Sequence, residues 1–201
     1  VLISFEGIDG CGKTTQIGLL KNRLIDELQE EVSVYREPGG TGLSEQIRSI
    51  LLDSSLKMDS VTEVLLFSAA RSQLICERVK PELDVGKIVI LDRYFDSTTA
   101  YQGYGRDEID PEAIQQLNTL ATHQVLPEIT FYLKLTLDEA RERQDEVRDR
   151  VEQSDDAFFE RVIHGFDQLA QTENRFITID ATLPKPTVHQ MIWDSVVDRL
   201  K

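Results

Sequence analysis

Residues Glu6–Gln16 read EGIDGCGKTTQ, and within them Gly7–Thr14 match the pattern G-x-x-x-x-G-K-[ST]. The apolar run VLISFE (1–6) precedes the glycines, and helical periodicity follows them from about residue 13 to 30. A strand, a glycine-rich turn and a helix in that order surround a phosphate with the amides of the turn and the N-terminal end of the helix. In such a loop the amides of Gly7, Ile8, Asp9, Gly10, Cys11 and Gly12 face the donor nucleotide. Lys13 reaches the terminal phosphates, Thr14 offers its hydroxyl to Mg²⁺, and Thr15 follows on the helix. One group is out of place: Asp9 sets a carboxylate beside an anion.

Working outward from the loop, four more β-rich runs recur: VSVYRE (32–37), KIVILDRY (87–94), ITFYLKL (129–135) and RFITID (175–180). Helical stretches around 42–84, 110–125 and 136–171 separate them. Apolar strands alternating with helices predict an α/β fold, a mostly parallel sheet covered on both faces. Its ligands belong at the carboxyl ends of the strands. No repeat or Pro/Gly/Ser linker divides the chain, so residues 1–201 are expected to form one domain.

Composition narrows the partners. A net charge of −14 argues against a general grip on nucleic acid, which depends on clustered Lys and Arg. No apolar run approaches the roughly 20 residues of a membrane span. Two cysteines are too few for a disulfide framework, and VLISFE lacks the basic, apolar, small-residue order of an export signal. The expected location is the cytoplasm.

A phosphate loop serves switches, ATPases, kinases and synthetases alike. No Asn-Lys-x-Asp tetrad follows to read guanine. Instead Asp92 and Arg93 close the strand KIVILDRY, at the edge where the loop should also lie. Asp92 suits orientation of metal-bound water, and Arg93 suits neutralisation of a phosphoryl group in transfer.

Further stretches, REPGGT (36–41), LLFSAARSQL (65–74), DRYFDSTTAYQG (92–103) and DRVEQ (149–153), join EGIDGCGKTTQ in an order and spacing that closely resemble the thymidylate kinase family. The resemblance covers residues 1 to about 171. It implies a three-layer P-loop nucleoside monophosphate kinase fold with a five-stranded parallel sheet flanked by helices, Mg²⁺ with ATP as co-substrate, and a homodimer. By position it makes Phe67 the ring stacked on thymine and Arg71 the donor to a thymine carbonyl. The i, i+4 spacing sets both on one helix face. It further implies that Thr98 touches the base, that Tyr101 crowds the sugar's 2′ position with Gln102 assisting, and that Glu37, Pro38 and Arg48 surround the acceptor phosphate. Asp9 would then accept a hydrogen bond from the acceptor's 3′-hydroxyl.

The segment 138–152, DEARERQDEVRDRVE, holds seven acids and four arginines. By composition it is a solvated helix face; by resemblance, the stretch of about 138–153 is a lid over ATP. Some family members carry an arginine in the phosphate loop where this chain has Gly10, and members with glycine there carry catalytic arginines on the lid. Arg141 and Arg148 are seven residues apart, as are Arg143 and Arg150, so each pair would share a face of a continuous helix. Arg143 or Arg150 is expected to enter the site on closure, Arg150 being preferred because DRVE is the clearer match, with Arg141 toward ATP. The loop ATLPKP (181–186) is expected to border adenine. The rival readings are a monophosphate kinase with another acceptor, and a nucleotide-binding interaction protein without catalysis.

Overall fold

The computed structural model describes residues 1–143 and 149–200. Strands β1 (Leu2–Glu6), β2 (Val32–Arg36), β3 (Ile88–Asp92), β4 (Ile129–Lys134) and β5 (Phe176–Asp180) form one sheet in the order β2-β3-β1-β4-β5, with every pair parallel. The helices are α1 (Lys13–Leu28), α2 (Gly42–Leu52), α3 (Ser60–Leu74), α4 (Lys80–Asp84), α5 (Phe95–Thr98), α6 (Pro111–Ala121), α7 (Leu137–Arg141), α8 (Asp156–Thr172) and α9 (Lys185–Leu200). Two π-helical turns, Ile75–Val79 and Thr99–Gly105, extend α3 and α5.

Side chains alternate across the sheet with the period of two that a strand imposes. Leu2, Val89 and Leu91 pack with Leu74, Ile75 and Val79 on one face. Ile3, Phe5, Ile88 and Ile90 join Ile17, Leu20, Leu24, Trp193 and Val196 on the other. On α1 the buried positions Ile17, Leu20 and Leu24 are spaced three and four apart, the apolar stripe that seats the helix on the sheet. Burial on both faces explains why β1 is apolar almost throughout, with Ser4 answered by Thr130 through a 2.8 Å hydroxyl bond.

Three helical expectations change. The stretch 42–84 breaks between Leu52 and Ser60, where Asp59 caps a new helix by accepting from the amides of Val61 and Thr62 at 3.0 and 3.1 Å. The stretch 136–171 also splits. Helix α7 ends at Arg141, residues 149–153 turn without a helix, and Asp155 caps α8 by accepting from the Phe158 amide at 2.8 Å. Arg143 and Arg150 therefore share no helix face, and Arg148 lies outside the described residues. Helix α5 and its π extension were not anticipated, because FDSTTAYQGYG is rich in Thr, Tyr and Gly. Buried Asp96 anchors that segment with a two-pronged pair to Arg175 at 2.6 and 2.7 Å.

Parallel order with β1 at the centre gathers the loop after β1, the ends of β2 and β3, and the helix after β3 at one edge. Register makes this explicit: Phe5 lies beside Asp92, and Arg36 beside Asp92 on the far side.

Candidate active site

The phosphate loop runs from β1 into α1. Lys13 is buried and its Nζ donates to the Gly7 and Ile8 carbonyls at 2.9 and 3.1 Å, so the cation braces the loop from within. Thr14 Oγ1 donates to Asp92 Oδ2 at 3.0 Å, joining the loop to the end of β3. A hydroxyl and a carboxylate so close form the hard oxygen set that suits Mg²⁺ completed by phosphate oxygens and water. Gly10 has φ +85°, and a Cβ there would sit 2.7 Å from the Ala140 carbonyl of α7. No side chain fits at that position, which gives a physical reason why this loop carries no cation of its own beyond Lys13.

Asp9 turns away from the loop interior. Its Oδ1 takes a 2.7 Å bond from Arg93 and lies 3.7 Å from Lys13 Nζ. Burial pushes this carboxyl up, yet the Arg93 and Lys13 charges win and hold it well below the usual carboxylate range. Arg93 is a non-glycine residue at φ +70°, a conformation that costs about 1 kcal/mol or more and persists only where the surroundings impose it. Glu6 does so: it is fully buried and accepts the Tyr94 amide at 2.7 Å and the Ser97 hydroxyl at 2.6 Å. Ser97 in turn accepts from Arg93 Nη1 at 3.2 Å, and Arg93 Nη2 reaches the Tyr101 hydroxyl at 3.3 Å. Burial and nearby Asp96 raise the Glu6 carboxyl above its ordinary value.

Beside these groups lies a cavity. Phe67 and Arg71 line it from α3, Glu37 and Pro38 from the loop after β2, Arg48 from α2, and Thr98, Tyr101 and Gln102 from α5 and its extension. Arg71 is 2% exposed and uses Nε on Glu37 at 2.7 Å and Nη1 on Thr98 Oγ1 at 3.0 Å. Burial pushes the Glu37 carboxyl to about 7 against the pull of Arg71, and its Oε1 is buried with no partner among the described residues. Arg48 Nη1 donates to the Pro38 carbonyl at 2.9 Å, which stiffens the turn over the cavity. A ring, a planar guanidinium and hydroxyl groups on one wall, with Arg48 and Arg93 at the phosphate-loop end, match the two ends of a nucleoside monophosphate.

A second cleft opens on the other side of the loop, lined by Cys11, Gly12, Thr15, Gln16, Ala181, Leu183 and Lys185. Arg143 borders it and donates to the Ala181 carbonyl of the ATLPKP loop at 3.1 Å. Two other arginines of the charged segment are paired with carboxylates. Arg150 Nε donates to the Leu51 carbonyl at 2.8 Å and its Nη1 pairs with buried Glu63 at 2.6 Å. Arg141 pairs with Asp156 at the start of α8 and is not turned to the loop.

Sequence reasoning left Glu6, Ser97, Glu63 and Arg106 without roles. Spacing carried part of the signal, since Glu63 precedes Phe67 by four and Gln102 precedes Arg106 by four. Nothing local marks Glu6, because its partners lie about 90 residues away.

Comparison with known proteins agrees with this geometry. The family model described as Thymidylate kinase matches residues 5–192. The thymidylate kinase of Chlorobium chlorochromatii is 44% identical, covering 100% of this chain and 96% of its own length, and that of Chlorobaculum parvum is 45% identical, covering 98% and 95%. Among solved structures, the crystal structure of thymidylate kinase from Ehrlichia chaffeensis superposes with a TM-score of 0.79 at 37% identity, over 98% of this chain and 97% of that one. A match of sequence and fold over nearly all of its length establishes that the chain belongs to the thymidylate kinase family.

Proposed function

We propose that this protein transfers the γ-phosphoryl group of ATP to the 5′-phosphate oxygen of dTMP, giving dTDP and ADP. The observation that carries the reading is the contact between the two halves of the site: Asp9, inside the donor loop, is held by Arg93, which lines the acceptor cavity. The acceptor is already an anion, so the reaction needs no strong base. Alignment of two phosphates and neutralisation of their charge do most of the work.

Thymine stacks on Phe67 and accepts from Arg71, with Thr98 and Gln102 completing the base contacts. Tyr101 lies against the sugar, and Asp9 accepts from its 3′-hydroxyl. Arg48 and Arg93 bind the acceptor phosphate near Glu37 and Pro38, Lys13 and the loop amides bind the donor phosphates, and Arg143 closes over the donor from the lid. Thr14 and Asp92, the latter through water, are the groups that would hold Mg²⁺. Bound there, the ion supplies charge neutralisation between the donor phosphates. We extend the reading to one domain with a lid at 138–153, a homodimer, and action in the cytoplasm. Among the described residues no helix is long and apolar enough to cross a membrane.

Asp9→Ala is expected to raise KM for dTMP about tenfold or more and KM for ATP by less, measured by varying each substrate in turn. The reverse order would remove Asp9 from the acceptor. The function itself is tested by turnover with ATP and each of dTMP, dUMP, dCMP, dGMP and AMP.

A further inference from the structure

Glu63 lies on α3 one turn before Phe67 and is 1% exposed, although it does not line the acceptor cavity. A buried carboxylate is costly unless its lone pairs are answered. Here they are answered from two directions. Gln102 Nε2 donates to Oε1 at 2.8 Å, and Arg106 donates from Nε to Oε1 at 3.2 Å and from Nη2 to Oε2 at 3.0 Å. From the returning end of the charged segment, Arg150 Nη1 approaches Oε2 at 2.6 Å. Burial pushes this carboxyl up, but the bonds from Arg106, Gln102 and Arg150 outweigh it and keep the group below its ordinary value, ionised near neutral pH.

The donors are the important part, because each leads back to the cavity. Gln102 lines it directly. Arg150 sits between Asp149 and Val151, which line it together with Glu152. Arg150 also donates to the Leu51 carbonyl at the end of α2, beside Leu52, another lining residue. One carboxylate thus fastens α3, the π turn after α5, the end of α2 and the base of the lid segment into a single frame around the acceptor. Both arginines depend on it for charge, since Arg106 and Arg150 are mostly buried around the same group.

We propose that Glu63 is a positioning residue for the nucleoside monophosphate: through Gln102 and Arg150 it sets the cavity wall and the lid's returning end around the acceptor, without touching either substrate. The proposal rests on reading that cavity as the dTMP site. It also assigns Arg150 a function opposite to that of a mobile catalytic arginine, because its cation is committed to the frame.

The test is steady-state kinetics of Glu63→Gln, Arg150→Gln and the double variant, each substrate varied separately, with thermal melting alongside. Glu63→Gln is expected to raise KM for dTMP about tenfold while KM for ATP stays within about twofold. Arg150→Gln, which leaves Glu63 paired with Arg106 and Gln102, should show the same selective rise and keeps the test available if Glu63→Gln does not fold. The double variant should fall short of the product of the two single effects, since both break one frame. A purely structural role would lower the folded fraction, and with it kcat, leaving both KM values unmoved. That result, an equal rise in both KM values, or a loss of kcat alone in Arg150→Gln, overturns the proposal. Absence of dTMP turnover in the wild-type protein would instead overturn the assigned function.

Discussion

Lys13→Ala is expected to lower kcat at least about 10³-fold, equivalent to roughly 4 kcal/mol of lost transition-state stabilisation, while dTMP still binds. The magnitude follows from the position of Lys13: it is the cation built into the donor loop, and Gly10 has no room for another. Its removal also strips the donor from the Gly7 and Ile8 carbonyls, so a stability loss of about 1–3 kcal/mol accompanies the kinetic one. Thermal melting separates the two effects, and equilibrium dialysis with labelled dTMP shows whether the acceptor cavity survives. Turnover within tenfold of wild type would remove Lys13 from the reaction.

Arg93→Ala should cost about 10²- to 10³-fold in kcat, the usual range for deleting one donor aimed at developing charge, and should raise KM for dTMP as well. Arg93 holds Asp9 on one side and on the other lines the cavity proposed for the acceptor. Arg93→Lys keeps the charge but loses the fork that reaches Asp9, Ser97 and Tyr101 together, so it is expected to recover little of the loss. Recovery to near wild-type rates by lysine would mean that charge alone is required. Because Arg93 holds the Asp9 carboxyl down, its removal should also let that group titrate closer to the ordinary carboxylate range, readable as a shift of the acidic limb of the pH–rate profile.

Local chemistry decided what the sequence revealed. The three central strands were readable because burial on both faces leaves a nearly continuous apolar run, and the loop because its glycines and Lys13 are adjacent in the chain. Phe67 and Arg71 could be placed on one helix face because four residues make about one helical turn. The break before Ser60 was readable in the polar stretch DSSLKMD (53–59), whose Asp59 carboxylate caps the next helix. Groups defined by distant partners were not readable. Glu6 meets Tyr94 and Ser97, Asp96 meets Arg175, and Glu63 meets Arg150, each across many residues of chain. Arg150 belongs with them: DRVEQ marks it as a lid arginine by resemblance, and its pairing with Glu63 appears only in the fold.

Asp9 shows how such partners change a reading. In the sequence it is a carboxylate opposing an anion; in the fold it is tied to Arg93 and Lys13, and its charge is balanced before any substrate arrives. In the proposed reaction this balanced centre joins an ATP site to a thymine-selective acceptor site. The most direct measurement is rapid chemical quench with γ-labelled ATP and the acceptor panel, following label into the diphosphate product. The account predicts label in dTDP with dTMP preferred over dCMP, dGMP and AMP, and no diphosphate formed without acceptor. Preference for another monophosphate, or label released only as inorganic phosphate, would contradict it.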